Sequence, residues 1–155
     1  MKVMLDQLND FIVKAKAATY VGDGKKEDRS CRPGSHDLRF SDGPFLYLDS
    51  YFGGADFIGE EVVYFEDQPV WAMNYYGRIL LPEKITPAET GQVIMKSLTR
   101  LYQQNRFLGG FEHAEGQYVY FDTNTGDAIS FTGMEWIERN GERVYELVYH
   151  GGLIK

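Results

Sequence analysis

The chain has 155 residues, of which 43% are hydrophobic and 25% charged, and its formal net charge is -7. This length and composition predict a single domain over residues 1–155 and exclude a disordered or coiled-coil chain. The negative charge disfavours direct binding to nucleic acid. The single cysteine cannot form an internal disulfide, and the sequence shows neither a signal peptide nor an apolar run of membrane-spanning length. We therefore expect a cytoplasmic protein with no membrane association.

The first half of the chain predicts one helix and three strands. Apolar residues recur at three- and four-residue spacing over residues 3–18, which is typical of an amphipathic helix that Gly22 and Gly24 would end. The polar segment 21–43 follows, with a turn at 32–35, and loops of this length are often functional or mobile. Alternating residues then predict strands at 45–52, 57–65 and 70–76, joined by short turns.

The second half repeats this order. Thr86 to Glu89 forms a capping box with proline at the first helical position, which predicts a second helix ending near Asn105. Three further strands are predicted at 117–122, 128–139 and 143–150, with turns at 123–126 and 140–141. Gly133 leaves open whether a bulge divides the middle strand.

The two halves also resemble each other when they are offset by 74 positions. Over 57–77 and 131–151 six positions are identical, where about one or two are expected by chance. They are Phe57, Gly59, Glu61, Val70, Tyr75 and Gly77, each with its counterpart in the second half. We therefore predict a duplicated helix-plus-three-strand unit, with repeats at 3–80 and 86–152. The predicted fold class is α+β, an antiparallel six-stranded sheet with both helices on one face and the other face open.

Segments 32–35, 49–54, 59–64 and 69–77, together with Phe57, resemble a bacterial family of unknown function, number five-six-eight-zero in the domain-of-unknown-function series. The likeness extends from about Phe11 to the C-terminus. The family has no assigned activity, although some members look like the C-terminal part of transcription regulators that begin with a helix-turn-helix. This chain departs from those members because its first helix opens at the N-terminus. The resemblance therefore implies a free-standing ligand-binding or partner-binding domain.

The candidate binding residues are predicted to share the open sheet face. Aromatic walls with a few convergent polar groups are what a small-molecule pocket needs. The set is Tyr47, Asp49, Tyr51, Asn74 and Tyr76. The alternative interpretation is that they are ordinary exposed strand residues, with tyrosines favoured by β-propensity and Asn74 bonded to nearby backbone.

Two charged residues extend this candidate site. Arg32, on the preceding loop, could close over the face and pair with an anionic ligand. Glu61 could act in general acid-base chemistry, because burial would raise its pKa. The alternative for Glu61 and its counterpart Glu135 is structural, with a nearby arginine pairing with each.

Other motifs in the sequence give weaker indications of a functional site. His36, His113 and His150 lack metal-ligand spacing, so no metal is predicted, and no cofactor is expected. Cys31 lies near Arg29 and Arg32, but a lone loop cysteine is seldom a nucleophile. Segment 21–26 looks superficially like a phosphate loop, yet it follows a helix where that motif must follow a strand.

The sequence thus favours a non-enzymatic module that binds a small ligand or a partner on its aromatic open face. One alternative is a homodimerising interaction protein, because a free strand edge or apolar face is a liability in a monomer. The other is an enzyme of unknown reaction that uses Glu61 or Asp49.

Overall fold

A computed structural model describes residues 2–21 and 25–155 of the chain. This part of the chain forms two helices and one antiparallel sheet of eight strands. In chain order the elements are α1 (Lys2–Thr19), β1 (His36–Asp42), β2 (Phe45–Gly53), β3 (Phe57–Phe65), β4 (Gln68–Ile79), α2 (Pro87–Tyr102), β5 (Phe111–Glu115), β6 (Tyr118–Asp127), β7 (Ser130–Arg139) and β8 (Glu142–Leu153).

The strand order in the sheet is β1-β2-β3-β4-β8-β7-β6-β5. Each helix is followed by four strands that pair with their neighbours in sequence, which is the low-cost way to build an antiparallel sheet. The two four-strand sets meet at the centre, where β4 pairs with β8 and Tyr75 lies opposite Tyr149. The outer strands β1 and β5 form the two edges of the sheet.

The predicted six-stranded sheet, built from helix-plus-three-strand units, is wrong because the sheet also contains β1 and β5. β1 lies inside the polar segment predicted as a loop, and β5 is only five residues long. Both are edge strands, and edge strands are commonly short and charged, since such features prevent pairing with other molecules. Because hydrophobic and polar residues alternate only weakly in β1 and β5, the sequence pattern does not predict them as strands.

Several local predictions can be compared with the structure. The strand predicted at 57–65 is β3, and the capping box is confirmed, with the Thr86 amide donating to the Glu89 carboxylate at 2.8 Å. β6 continues through the predicted turn at 123–126. Gly133 does not interrupt β7, whose irregular register lies between Ile137 and Glu138. The residues predicted to end the first helix, Gly22 and Gly24, lie outside the described residues.

Both helices cover the same face of the sheet. The core between them and that face contains Ile12 of α1, Leu101 of α2 and Trp71 of β4, none more than 1% exposed. Neither helix in the described residues combines the length and apolar character needed to cross a bilayer. On the opposite side of the sheet, which we call the open face, no helix of the described residues packs.

Aromatic rings lie over glycines at matching places in the two halves. A Cβ atom at Gly59 would lie 2.5 Å from the Tyr75 hydroxyl oxygen, and one at Gly133 would lie 2.1 Å from the Tyr149 ring. Only glycine leaves room for each tyrosine to lie flat across the neighbouring strand. This close approach explains why these glycines and tyrosines recur 74 residues apart, and it directs both hydroxyl groups towards buried carboxylates.

Candidate ligand-binding site

The predicted site residues do not share one face of the sheet. Tyr47, Asp49 and Glu61 are buried beneath the helices, and Asp49 is paired with Glu61 in the sheet register. Asn74 instead pairs with Glu60, one residue away from Glu61, so it lies on the open face. The single-face assumption is therefore wrong. Alternation along each strand gives two faces, but only the register between strands shows which faces coincide.

The remaining predicted residues divide in the same way. Tyr51 alternates with Asp49 along β2 and lies on the helix-covered face, half-buried. Tyr76 is 46% exposed on the open face. Arg32 also reaches that face, where it donates a hydrogen bond to the Ser50 hydroxyl at 3.0 Å and lies over the Phe52 ring.

Two buried tyrosine–aspartate pairs lie beneath the helices. The Tyr75 hydroxyl donates to Asp49 at 2.6 Å, and the Tyr149 hydroxyl donates to Asp122 at 2.7 Å. Burial, together with the charge of Glu61 and against the opposing Tyr75 hydrogen bond, raises the pKa of Asp49 to about 7. Burial likewise raises the pKa of Asp122 to about 6. Both groups therefore exchange protons near neutral pH.

A buried ion pair joins α1 to the sheet. The Lys16 ammonium nitrogen lies 2.5 Å from a Glu61 carboxylate oxygen, and both side chains are 5% exposed. The same ammonium lies over the Phe107 ring, 5.6 Å from its centre. Lysine near the end of an amphipathic helix usually reaches solvent, so its inward position marks a polar interior.

Glu135 occupies the position in β7 that Glu61 occupies in β3, but its environment differs. Among the described residues it forms no salt bridge, and the Tyr120 hydroxyl lies close to it. Its side chain is half-buried and lines a small cavity. Burial raises its pKa to about 8, and the charge of Asp122 adds to the shift. The predicted arginine partners for Glu61 and Glu135 are therefore wrong.

The internal cavity, which we call the inner cavity, lies between the helices and the sheet. Its volume is about 30 Å³, roughly the space of one water molecule in the liquid. The residues around it are Lys16, Tyr20, Glu61, Met73, Tyr75, Leu98, Tyr102, Glu135 and Leu147. Both halves of the chain thus contribute a carboxylate to one small polar space.

A larger pocket, the outer pocket, adjoins the inner cavity at the end of α1. Its volume is about 360 Å³, within the range of small-molecule sites. Tyr20, Tyr51, Phe57 and Tyr75 supply aromatic walls, and exposed Lys26 stands at the rim over the Tyr51 ring. Tyr20 and Tyr75 line both spaces.

Lys16 and Tyr20 are not among the site residues predicted from the sequence. The sequence holds only a weak indication of them: Lys16 is a polar residue within the first helix, and Tyr20 is a polar residue just after it. Without the position of the sheet, a lysine there is expected to face solvent.

The open face carries an exposed apolar row, and beside Arg32 it carries a pocket of about 540 Å³ that Arg32, Ser50 and Glu60 help to line. Ile58, Tyr76 and Val148 are neighbours on adjacent strands and are 54%, 46% and 48% exposed. Cys31 also lies on this side, with its sulfur 3.3 Å from an Asp37 oxygen. Within the described residues, no group of three metal-ligating side chains could hold a metal ion.

Comparison with known families gives one result. The family model described as a domain of unknown function, DUF5680, matches residues 49–154. This match confirms the resemblance seen in the sequence, although it starts at Asp49 and not near Phe11. Neither the curated proteins nor the solved structures include a match to the chain.

Proposed function

The chain belongs to the DUF5680 family of domains of unknown function, and on that premise we propose that it is a small-molecule-binding module. The ligand lies in the outer pocket and directs one polar group into the inner cavity. This proposal moves the ligand from the open face, where the sequence analysis expected it, to the face beneath the helices.

The observation that carries the proposal is that Tyr20 and Tyr75 form walls of both spaces. A site with an aromatic compartment beside a few converging polar groups has the composition of a ligand pocket. The aromatic compartment offers apolar contact, and the inner cavity offers charged groups, of which Lys16 and Glu61 are 5% exposed. Such preorganised charges give orientation and specificity to a bound molecule.

A thermal-shift screen against metabolites tests the proposal, since a ligand that binds only the folded protein raises its melting temperature. Tyr51→Ala removes a wall of the outer pocket and should abolish the shift of each hit. Tyr76→Ala is the matched control, because it removes a tyrosine of the open face. Hits that survive Tyr51→Ala but disappear with Tyr76→Ala would contradict the proposal and restore the open face.

A second candidate function is proton-transfer catalysis. It is favoured by Asp49, which is fully buried, accepts a hydrogen bond from Tyr75 and has a pKa of about 7 because of its burial. A carboxyl that titrates near neutral pH suits a general acid or base. Wild-type protein would then exchange a ligand proton with deuterated solvent, as followed by NMR, and Asp49→Asn would not. Equal exchange by both proteins would exclude this role for Asp49.

The predicted homodimer would use the open face, since the exposed row of Ile58, Tyr76 and Val148 is a surface that a second chain could cover. Light scattering at high concentration tests it, and a strict monomer would exclude it. The cytoplasmic location stays a prediction.

A further inference from the structure

The charges around the inner cavity do not balance. Two carboxyl groups, Glu61 and Glu135, line it together with one cationic side chain, Lys16. Lys16 is already paired with Glu61 at 2.5 Å, which leaves Glu135 without a salt bridge among the described residues. A half-buried carboxylate without a counter-ion is unfavourable, unless the group holds a proton or meets a cation.

The groups that surround Glu135 also include more carboxyl groups than cationic side chains. The titratable and charged groups that face it from every packed element are Lys16 and Tyr20 of α1, Tyr102 of α2, Glu61 of β3, Tyr120 and Asp122 of β6, and Tyr145 and Tyr149 of β8. Lys16 is the cation of this set within the described residues, and the charge of Arg106 acts on Asp122 from outside it. The phenols stay neutral because burial raises their pKa values.

Four further buried atoms on the strands around this cluster lack partners in the described residues. They are the second carboxylate oxygen of Asp49 and the hydroxyl oxygens of Tyr47, Tyr120 and Tyr145. Asp49 is 0% exposed and lies beside Glu61 in the sheet register. Buried polar atoms are normally satisfied, so unsatisfied ones in this polar interior favour the presence of a further polar group nearby.

The size of the inner cavity limits what that group can be. About 30 Å³ admits one water-sized group. An ammonium group has this size and donates hydrogen bonds, as carboxylate walls require. A carboxylate or phosphate is larger, and its charge would be repelled.

The rim of the outer pocket adds a second limit. Lys26 stands there with its ammonium nitrogen 5.5 Å from the centre of the Tyr51 ring. A ligand with a second cationic end would place that end near Lys26, which disfavours diamines and polyamines.

We propose that the ligand is a primary monoamine. Its ammonium group enters the inner cavity against Glu135, and its aromatic or alkyl body lies in the outer pocket against Tyr51 and Phe57. This inference rests on the proposed function and specifies the chemical class of its ligand.

Binding of the amine should release a proton. At neutral pH Glu135 is mostly protonated, because burial raises its pKa to about 8. A cation beside it favours the ionised form, so the carboxyl loses its proton as the ammonium arrives. Water alone in the cavity would release none.

Isothermal titration calorimetry of the full chain tests the inference with benzylamine, phenethylamine and butylamine, each compared with the alcohol of the same skeleton. Amines should bind at least roughly tenfold more tightly than their alcohols. Titrations in buffers of different ionisation enthalpy should show proton release on amine binding alone.

Glu135→Gln keeps the size of the side chain and removes its charge. It should weaken amine binding at least roughly tenfold, abolish proton release and leave the alcohols unaffected. Glu60→Gln is the matched control, because Glu60 is an exposed acid on the open face and its loss should change nothing. Circular dichroism confirms that both variants fold.

The possible results distinguish the proposal of a ligand-binding module from the proposal that its ligand is a primary monoamine. Equal binding of amines and alcohols, or proton release that survives in Glu135→Gln, would overturn the amine assignment and leave the ligand-binding module standing. If the amines fail while metabolites from the thermal-shift screen bind at the outer pocket, the amine assignment falls alone. If no compound of either kind binds, both proposals fall.

Discussion

Replacing Lys16 by methionine should destabilise the protein strongly. The change leaves the Glu61 carboxylate, 5% exposed, without the ammonium that lies 2.5 Å away. Breaking a buried pair by removing one partner costs about 3–5 kcal/mol, because the remaining charge keeps its desolvation penalty. Methionine preserves helix propensity and much of the aliphatic volume, so lost packing contributes little.

The same helix provides a matched control. Lys14 pairs with Asp42 at the surface, where the two side chains are 60% and 52% exposed. Exposed pairs contribute about 0–1 kcal/mol, so Lys14→Met should barely change the free energy of unfolding. Urea unfolding followed by circular dichroism measures both variants, and the slope of the transition shows whether either one changes the unfolded state.

A double variant separates charge from packing. Lys16→Met combined with Glu61→Gln leaves no unpaired charge, and most of the lost stability should return. If Lys16→Met lowered the free energy of unfolding no more than Lys14→Met, the buried ion pair would not stabilise the fold as described. A double variant no more stable than Lys16→Met alone would contradict the same explanation.

Three further predictions concern the tyrosine–aspartate pairs. Gly59→Ala should lower the free energy of unfolding by about 1–3 kcal/mol in urea titrations, because its Cβ would lie 2.5 Å from the Tyr75 hydroxyl oxygen. Tyr75→Phe removes the hydrogen bond to buried Asp49 and should cost about 1–3 kcal/mol by the same assay. The third concerns pH. Burial raises the folded-state pKa of Asp49 from 3.8 to about 7, so the folded state holds the proton more tightly and stability is lost as pH rises through that range. The free energy of unfolding of wild type, relative to Asp49→Asn, should therefore fall by about 2–4 kcal/mol between about pH 4 and pH 8.

Each of these predictions has its own control. Gly91→Ala, in the open space around α2, should stabilise by about 0.5–1 kcal/mol, and equal losses at Gly59 and Gly91 would contradict the close-approach argument. Tyr76→Phe, on the open face, should be neutral, and a Tyr75→Phe variant equally neutral would show that the hydrogen bond contributes nothing. A stability difference that is constant with pH, or that grows with it, would contradict the raised pKa of Asp49.

The elements that could be predicted from the sequence are those stabilised by interactions between residues close together in the chain. The capping box determines the start of α2, since Thr86 and Glu89 satisfy each other's backbone groups without help from the rest of the fold. The turn at Asn140 and Gly141 is likewise local, because both residues adopt positive φ angles that a tight hairpin requires.

The features that the sequence did not predict depend on contacts between distant segments. β1 and β5 become strands because a neighbouring strand offers hydrogen bonds, not because of their own alternation. The face of β2 that carries Tyr47 and Asp49 was expected to be open, since the other face of the same strand carries the more apolar Leu46 and Leu48. It is buried because Tyr75 and Lys16 satisfy the acids there, and neither contact can be read from β2 itself.

The central pairing of β4 with β8 is the one adjacency in the sheet between strands that are not consecutive in the chain. Every other pairing closes a short hairpin, so this seam is where most of the loop-closure entropy of folding is concentrated. Lys16 and Glu61 come from one side of it, and Tyr102 and Glu135 from the other. A ligand bound in the cavity, as proposed, would therefore hold the two sides together, and its affinity would be linked to cohesion across the seam.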